Sequence, residues 1–290
     1  MTNFQVVNTF FLNTIIFLVV SCASVPKPDV VTVSVPGYSA DVGVHTAHGK
    51  PRNVIVISLH GKEKGRLHSH NLAFAEDLAR SGYTVYTPQM PWYDYSADVD
   101  TAFAFLDALV QKATTDGQKV VVAGHSQGAP YALFYANAHK APVQVVGTIL
   151  LAPGHLVQLS RKIQNHTVDS VLLARKLVNS GQGNEKHIFA DFNAGGGRGE
   201  KEITTTANIY LTYFDPGTSL NFLEVIRQLK RPILWVDGAQ DKVAFRLDYS
   251  EIYKFAPDLP KNRYTTVSGG HVDMWENAAI PAIEWLALFD

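Results

Sequence analysis

The chain has 290 residues, 46% hydrophobic and 18% charged, with a formal net charge of −1 at pH 7. That is an ordinary globular composition, long enough for one large α/β domain or two small ones. A net charge this close to zero gives no electrostatic reason to expect nucleic-acid binding, and no internal repeat or long charge block points to a solenoid or a charged tail.

The N-terminal stretch "FFLNTIIFLVVSC" holds an apolar run of about 11 residues ending in small ones, the pattern of a secretory h-region. It is shorter than the roughly 20 residues a membrane span needs, and Asn8 and Asn13 interrupt it. Val19-Val20-Ser21-Cys22 resembles the lipobox of bacterial lipoproteins, in which the cysteine becomes the acylated first residue of the mature chain, although residues 1–21 lack the usual Lys or Arg. Cys22 is the only cysteine, so a mature chain acylated there has no free thiol and no disulfide. On this reading residues 1–22 are a signal, the Pro-rich 23–29 a tether, and 30–290 the folded domain, held at the cell envelope by a lipid anchor.

In chain order, "DVVTVSVPGYSADVGVHTA" alternates about a Pro-Gly turn and predicts an antiparallel hairpin. "RNVIVISLHG" (52–61) is almost continuously apolar and predicts a strand buried on both faces. Leu72, Phe74, Ala75, Leu78 and Ala79 recur at helical spacing before Gly82, and "YTVYTP" reads as the next strand. A helix follows with Val99, Phe103, Leu106 and Val110 on one face. "KVVVAGHS" is a further buried strand, "APYALFYANAHKA" the helix after it, and "VQVVGTILLAPG" another strand. Strands are also predicted at 232–241 and 263–271, and "MWENAAIPAIEWLALF" closes the chain as a helix. Alternating βα units with continuous apolar strands imply a parallel sheet covered by helices on both faces.

Residues 155–222 break this rhythm with two helical pieces, "LVQLSRKI" and "VDSVLLARKLVNSG", a Gly-rich turn and an aromatic stretch "IYLTYF". An insertion of this kind reads as a lid. The run Gly195–Gly199 has neither the preceding buried strand nor the following helix of a phosphate cradle, so it reads as a flexible loop. Trp92, Tyr93 and Tyr95 either line an apolar substrate pocket or pack beneath the lid.

The chemistry centres on "GHSQG". Gly124-x-Ser126-x-Gly128 lies where a buried strand turns sharply into a helix, which exposes the hydroxyl and aims helix N–H groups at the reacting centre. With "HG" (His60-Gly61) ending an earlier strand, "DGAQD" after a late strand and "GGH" after the last, the stretch from Val30 to Asp290 resembles the α/β-hydrolase family, including its bacterial lipoprotein-like members. The resemblance implies a mostly parallel central sheet of about eight strands with helices on both faces and a short lid insertion.

It also implies a serine hydrolase of ester, thioester or amide bonds acting on a small-molecule acyl substrate through an acyl-enzyme, with no cofactor. Ser126 is the expected nucleophile and His271, after the flexible Gly269-Gly270, the base. The acid is Asp241 or Asp237, with Asp241 favoured because it occupies the Gly-x-x-Asp position beyond the strand end. The backbone amides of Gln127 and Lys62 are the expected oxyanion donors. His125 and His60 read as bracing residues. The H-x-H of His68 and His70 suits an exposed loop better than a metal site, and no metal is expected. An envelope binding protein that keeps the fold without the chemistry is the alternative.

Overall fold

The computed structural model describes residues 27–62, 65–115, 117–193, 199–217, 220–242 and 248–290. Cys22 and residues 195–198 of the glycine run lie outside them.

Eight strands form one sheet: β1 (Asp29–Val35), β2 (Tyr38–His45), β3 (Val54–Leu59), β4 (Thr84–Pro88), β5 (Lys119–His125), β6 (Val145–Leu151), β9 (Ile233–Gly238) and β10 (Arg263–Val267), in the order β1-β2-β4-β3-β5-β6-β9-β10. β1 pairs antiparallel with β2 and β2 antiparallel with β4, and every later pairing is parallel. The first hairpin turns at Pro36-Gly37, where Gly37 has φ 83° and so takes a left-handed conformation that a side chain would oppose. The sequence-derived fold class, a mostly parallel sheet of eight strands flanked by helices, is the observed one.

The apolar runs fill both faces because successive strand residues point to opposite sides. In β3, Ile55, Ile57 and Leu59 pack into one core and Val54 and Val56 into the other; in β9, Ile233 and Trp235 are opposed to Leu234 and Val236. The first core is closed by α2 (Val99–Ala113) and α3 (Gly128–Asn137), the second by α1 (Ser69–Arg80), α8 (Met274–Asn277) and α9 (Ala279–Leu286). All ten residues of α3 are buried, so this helix is covered on both its sheet side and its outer side.

The insertion differs from its sequence reading. Of the expected helical stretches, only the last three residues of "LVQLSRKI" and most of "VDSVLLARKLVNSG" are helical, in the single helix α4 (Arg161–Asn179), capped by the Ser160 hydroxyl, which accepts from Ile163 N–H at 3.3 Å. The segment around the glycine run forms an antiparallel hairpin, β7 (Lys186–Asn193) and β8 (Gly199–Thr206), registered from Lys186↔Thr206 to Asn193↔Gly199. It continues into α5 (Ala207–Phe214), and α6 (Phe222–Arg227) then leads back to β9. The hairpin is docked on both sides: Ala190 N–H donates to Ser170 Oγ on α4 at 2.8 Å, and Tyr210 on α5 donates to Ala190 O at 2.7 Å.

The aromatic cluster before α2 packs under this cap. Trp92 is wholly buried and stacks on Tyr131 at 5.1 Å, Tyr95 packs on Tyr213 and Phe214, and Tyr93 alone stays open, at 49% exposure. Tyr210, Tyr213 and Phe214 are buried. The expected closing helix, by contrast, is divided at Ala278 into α8 and α9. No helix among the described residues is long and apolar enough to cross a membrane.

Candidate active site

β5 ends at His125, and the chain turns back on itself within three residues to start α3. Ser126 sits at the turn with φ 51°, a strained value for a residue with a side chain. The flanking glycines are required by contact. A Cβ on Gly124 would strike the Gly128 carbonyl oxygen, and one on Gly128 would lie 2.6 Å from Leu59 O and 2.7 Å from His60 O. Hydrogen bonds fix the turn: Ser126 N–H donates to Leu151 O at 3.0 Å, and Ser126 O accepts from Ala129 N–H at 3.1 Å and Gly154 N–H at 2.9 Å. Gly154 also lies against the hydroxyl, since a Cβ there would be 2.7 Å from Ser126 Oγ. Nothing in the sequence marks Gly154 as part of the site; it is found only through this contact.

Asp241 and His271 come from the loops that follow β9 and β10, adjacent strands of the sheet. Those loops close on each other through glycines: a Cβ on Gly238 would be 2.6 Å from Gly269 O, and Gln240 N–H donates to Gly269 O at 3.0 Å. Gly269, at φ 114°, turns the chain so that His271 faces the elbow. The result is one hydrogen-bonded chain. His271 Nδ1 is 2.8 Å from Asp241 Oδ2, and His271 Nε2 is 2.9 Å from Ser126 Oγ. Asp241 holds the proton on Nδ1, so Nε2 is left to accept from the serine hydroxyl. Both side chains of this hydrogen-bonded pair are almost fully buried, which strengthens the bond between them.

Asp237, the other carboxylate of "DGAQD", is engaged elsewhere. Trp235 Nε1–H donates to it at 2.9 Å and Tyr264 O–H at 2.5 Å. Burial pushes its carboxyl up to about 6, against those two hydrogen bonds.

His125 points to the far side of the elbow, stacked on Trp275 with ring centroids 4.2 Å apart, and its Nε2 bonds to His271 O at 2.7 Å. Burial, then the neighbouring His271, holds its pKa well below the ordinary histidine value, so the ring is neutral and donates to that carbonyl. His60 braces the loop after β3: Nε2 accepts from Met90 N–H at 2.9 Å, Nδ1–H donates to Gly61 O at 2.7 Å, and burial brings it down to about 4. His70 Nδ1 pairs with Glu276 at 2.7 Å, beside His68. Among the described residues no group of three or more His, Cys, Asp or Glu is arranged to hold a metal ion.

Gln127 is the wholly buried N-cap of α3. Lys62 follows Gly61, which packs on the elbow so closely that a Cβ there would be 3.0 Å from Ser126 Cβ. The Lys62 side chain leaves the site and enters the cap, where it forms a buried ion pair with Asp191 on β7. Asp191 lies in a segment read only as part of the insertion, and its involvement was not legible.

The profile of the alpha/beta hydrolase family matches residues 29–280. The chain belongs to the alpha/beta hydrolase family. Among solved members of this fold, Est1E from Butyrivibrio proteoclasticus superposes with a TM-score of 0.61 at 16% identity, over 89% of this chain and 98% of that one. The monoglyceride lipase of Saccharomyces cerevisiae gives a TM-score of 0.66 at 15% identity, over 91% and 96%. The monoacylglycerol lipase of Paleococcus ferrophilus gives 0.62 at 17%, over 87% and 99%. At such identities the likeness is one of fold. No curated protein matches the sequence.

Proposed function

We propose that this alpha/beta hydrolase family member is a serine hydrolase that cleaves carboxylic esters through an acyl-enzyme. The observation that carries the reading is the position of His271, whose two ring nitrogens bridge Ser126 Oγ at 2.9 Å and Asp241 Oδ2 at 2.8 Å. His271 takes the hydroxyl proton as Ser126 Oγ attacks the ester carbonyl. The negative charge that develops on the carbonyl oxygen is met by the backbone N–H groups of Gln127 and Lys62. His271 then protonates the leaving alcohol, and in the second half it activates the water that releases the acid. Asp241 orients the ring and stabilises the imidazolium without taking up the proton. Among the structures of similar fold, two are named as lipases of monoacylglycerols and another as an esterase, which favours esters over amides.

For location, the reading is of an exported protein anchored by acylation at Cys22, supported by the apolar run before it and by Val19-Val20-Ser21.

A fluorophosphonate probe tests the chemistry. The wild-type protein is expected to label at Ser126 and to hydrolyse p-nitrophenyl esters, and Ser126→Ala to fold normally with kcat lowered by about 10⁶. A folded wild-type protein that neither labels nor turns over such esters would favour a binding protein that has kept the fold alone.

A further inference from the structure

Lys62 belongs to two parts of the molecule at once. Its main chain follows Gly61 against the elbow, while its ammonium is held by the cap. Nζ donates to Asp191 Oδ1 and, at 3.1 Å, to the carbonyl of Phe192, the next residue of β7. It lies 5.3 Å from the centre of the Phe214 ring on α5. The second carboxylate oxygen of Asp191 accepts from Tyr95 O–H at 3.3 Å. Asp191 is wholly buried and the Lys62 side chain 7% exposed. Of the other titratable groups close by, His155 is brought down to about 3 by burial and then by the Lys62 charge, and burial raises the phenols of Tyr95 and Tyr210, so the cluster carries one cation and one anion.

Burying two charges is an inefficient way to fasten two surfaces, because an apolar pair of similar volume often does it at least as well. What the ion pair adds is direction. One ammonium bound to a carboxylate and to the adjacent main-chain carbonyl of a registered strand has little freedom, and through it the loop that carries the Lys62 amide is tied to that strand. An oxyanion donor requires such restriction, since it acts only within about 2.7–3.1 Å of the developing charge.

We infer that Asp191 is a positioning residue, which through its ion pair with Lys62 fixes the Lys62 amide as an oxyanion donor and makes the β7–β8 hairpin part of the catalytic frame. The inference rests on the serine-hydrolase reading above. It assigns the insertion a role in the chemical step, beyond covering the substrate.

The test compares the wild-type protein with Asp191→Asn and with the double variant Lys62→Met/Asp191→Leu, using p-nitrophenyl acetate. The double variant replaces the ion pair by an apolar one, so it is expected to melt no lower than wild type. Its kcat is expected to fall by about 10- to 100-fold with KM within about twofold, the signature of an interaction made only in the transition state. Asp191→Asn, which strands the ammonium, should lose both kcat and thermal stability. A double variant that keeps its melting temperature and a kcat within about twofold of wild type overturns the inference. If the double variant does not fold, Tyr95→Phe removes the hydroxyl that donates to Asp191 and that also lies against the Gln127 side chain, and leaves the Lys62–Asp191 pair in place. A kcat drop of about two- to fivefold at constant KM is then expected, and an unchanged kcat overturns the inference. A wild-type protein inert to both ester and fluorophosphonate overturns the hydrolase reading and this inference with it; an active wild type with an unaffected variant overturns this inference alone.

Discussion

Asp237 lies in the last residues of β9 and Asp241 just beyond its end, and their surroundings differ. Asp241 reaches His271 from a loop, whereas Asp237 is clamped by Trp235 and Tyr264 beneath it. Asp241→Asn is therefore expected to lower kcat by about 10⁴, through loss of tautomer control, and Asp237→Asn to leave it within about tenfold of wild type. Steady-state kinetics on both variants decide this, and reversed costs would exchange their roles. Asp237 has a separate signature in stability. Its carboxyl is raised to about 6 by burial, so the folded chain keeps a proton that the unfolded chain has already released. Its contribution to stability therefore declines as pH rises from the ordinary carboxylate value to about 6, and is level above that.

At the scale of elements, the site depends on two adjacent parallel strands delivering their loops to one point. β9 and β10 do so because Gly238 lets the second loop lie directly on the first. A methyl group at Gly238 would stand 2.6 Å from Gly269 O and 2.9 Å from Gly270 O, and backbone cannot give way there as a flexible side chain could. Gly238→Ala is expected to destabilise the fold by about 1–3 kcal/mol, measured by urea titration, because overpacking forces the loops apart. It should also lower kcat at least tenfold, because His271 must stay within hydrogen-bond reach of both Ser126 and Asp241. Wild-type kcat in this variant would show that the loops are positioned by other contacts. The stack of His125 on Trp275, with its bond to His271 O, ties α8 to the same loop from behind.

For the whole molecule, the internal histidines decide the response to acid. His60, His125 and His155 are buried and hydrogen-bonded as neutral rings, with pKa values brought down to about 4, well below the ordinary value, and to about 3. The unfolded chain protonates all three near pH 6.5, so their contribution to stability is complete above that pH and is lost as pH falls toward the folded values. Asp237 works in the opposite direction over part of the same range. With three rings against one carboxyl, unfolding takes up protons on balance, and stability is expected to fall as pH drops through this range. Melting temperatures recorded from pH 4.5 to 7.5 should fall steadily below about 6.5, and a flat profile would mean that these rings are not neutral in the folded protein.

The sheet and the strand-to-helix turn at Ser126 were legible in the sequence because both are local in origin. A strand buried on two faces is almost continuously apolar, as in "VIVISL" and "VVVAGH", and a sharp strand-to-helix turn at a serine leaves glycines two residues to either side. The hairpin in the insertion was hidden because its inward positions do not read as apolar: Asp191 faces inward with Phe189, and a carboxylate at that position spoils the alternation that marks a strand. The engagement of Asp237 by Tyr264, the contact of Gly154 with the serine hydroxyl and the partner of Lys62 depend on residues dozens of positions apart. No local pattern encodes such pairings. They are set by which loops the sheet order makes neighbours, and only the tertiary structure decides that.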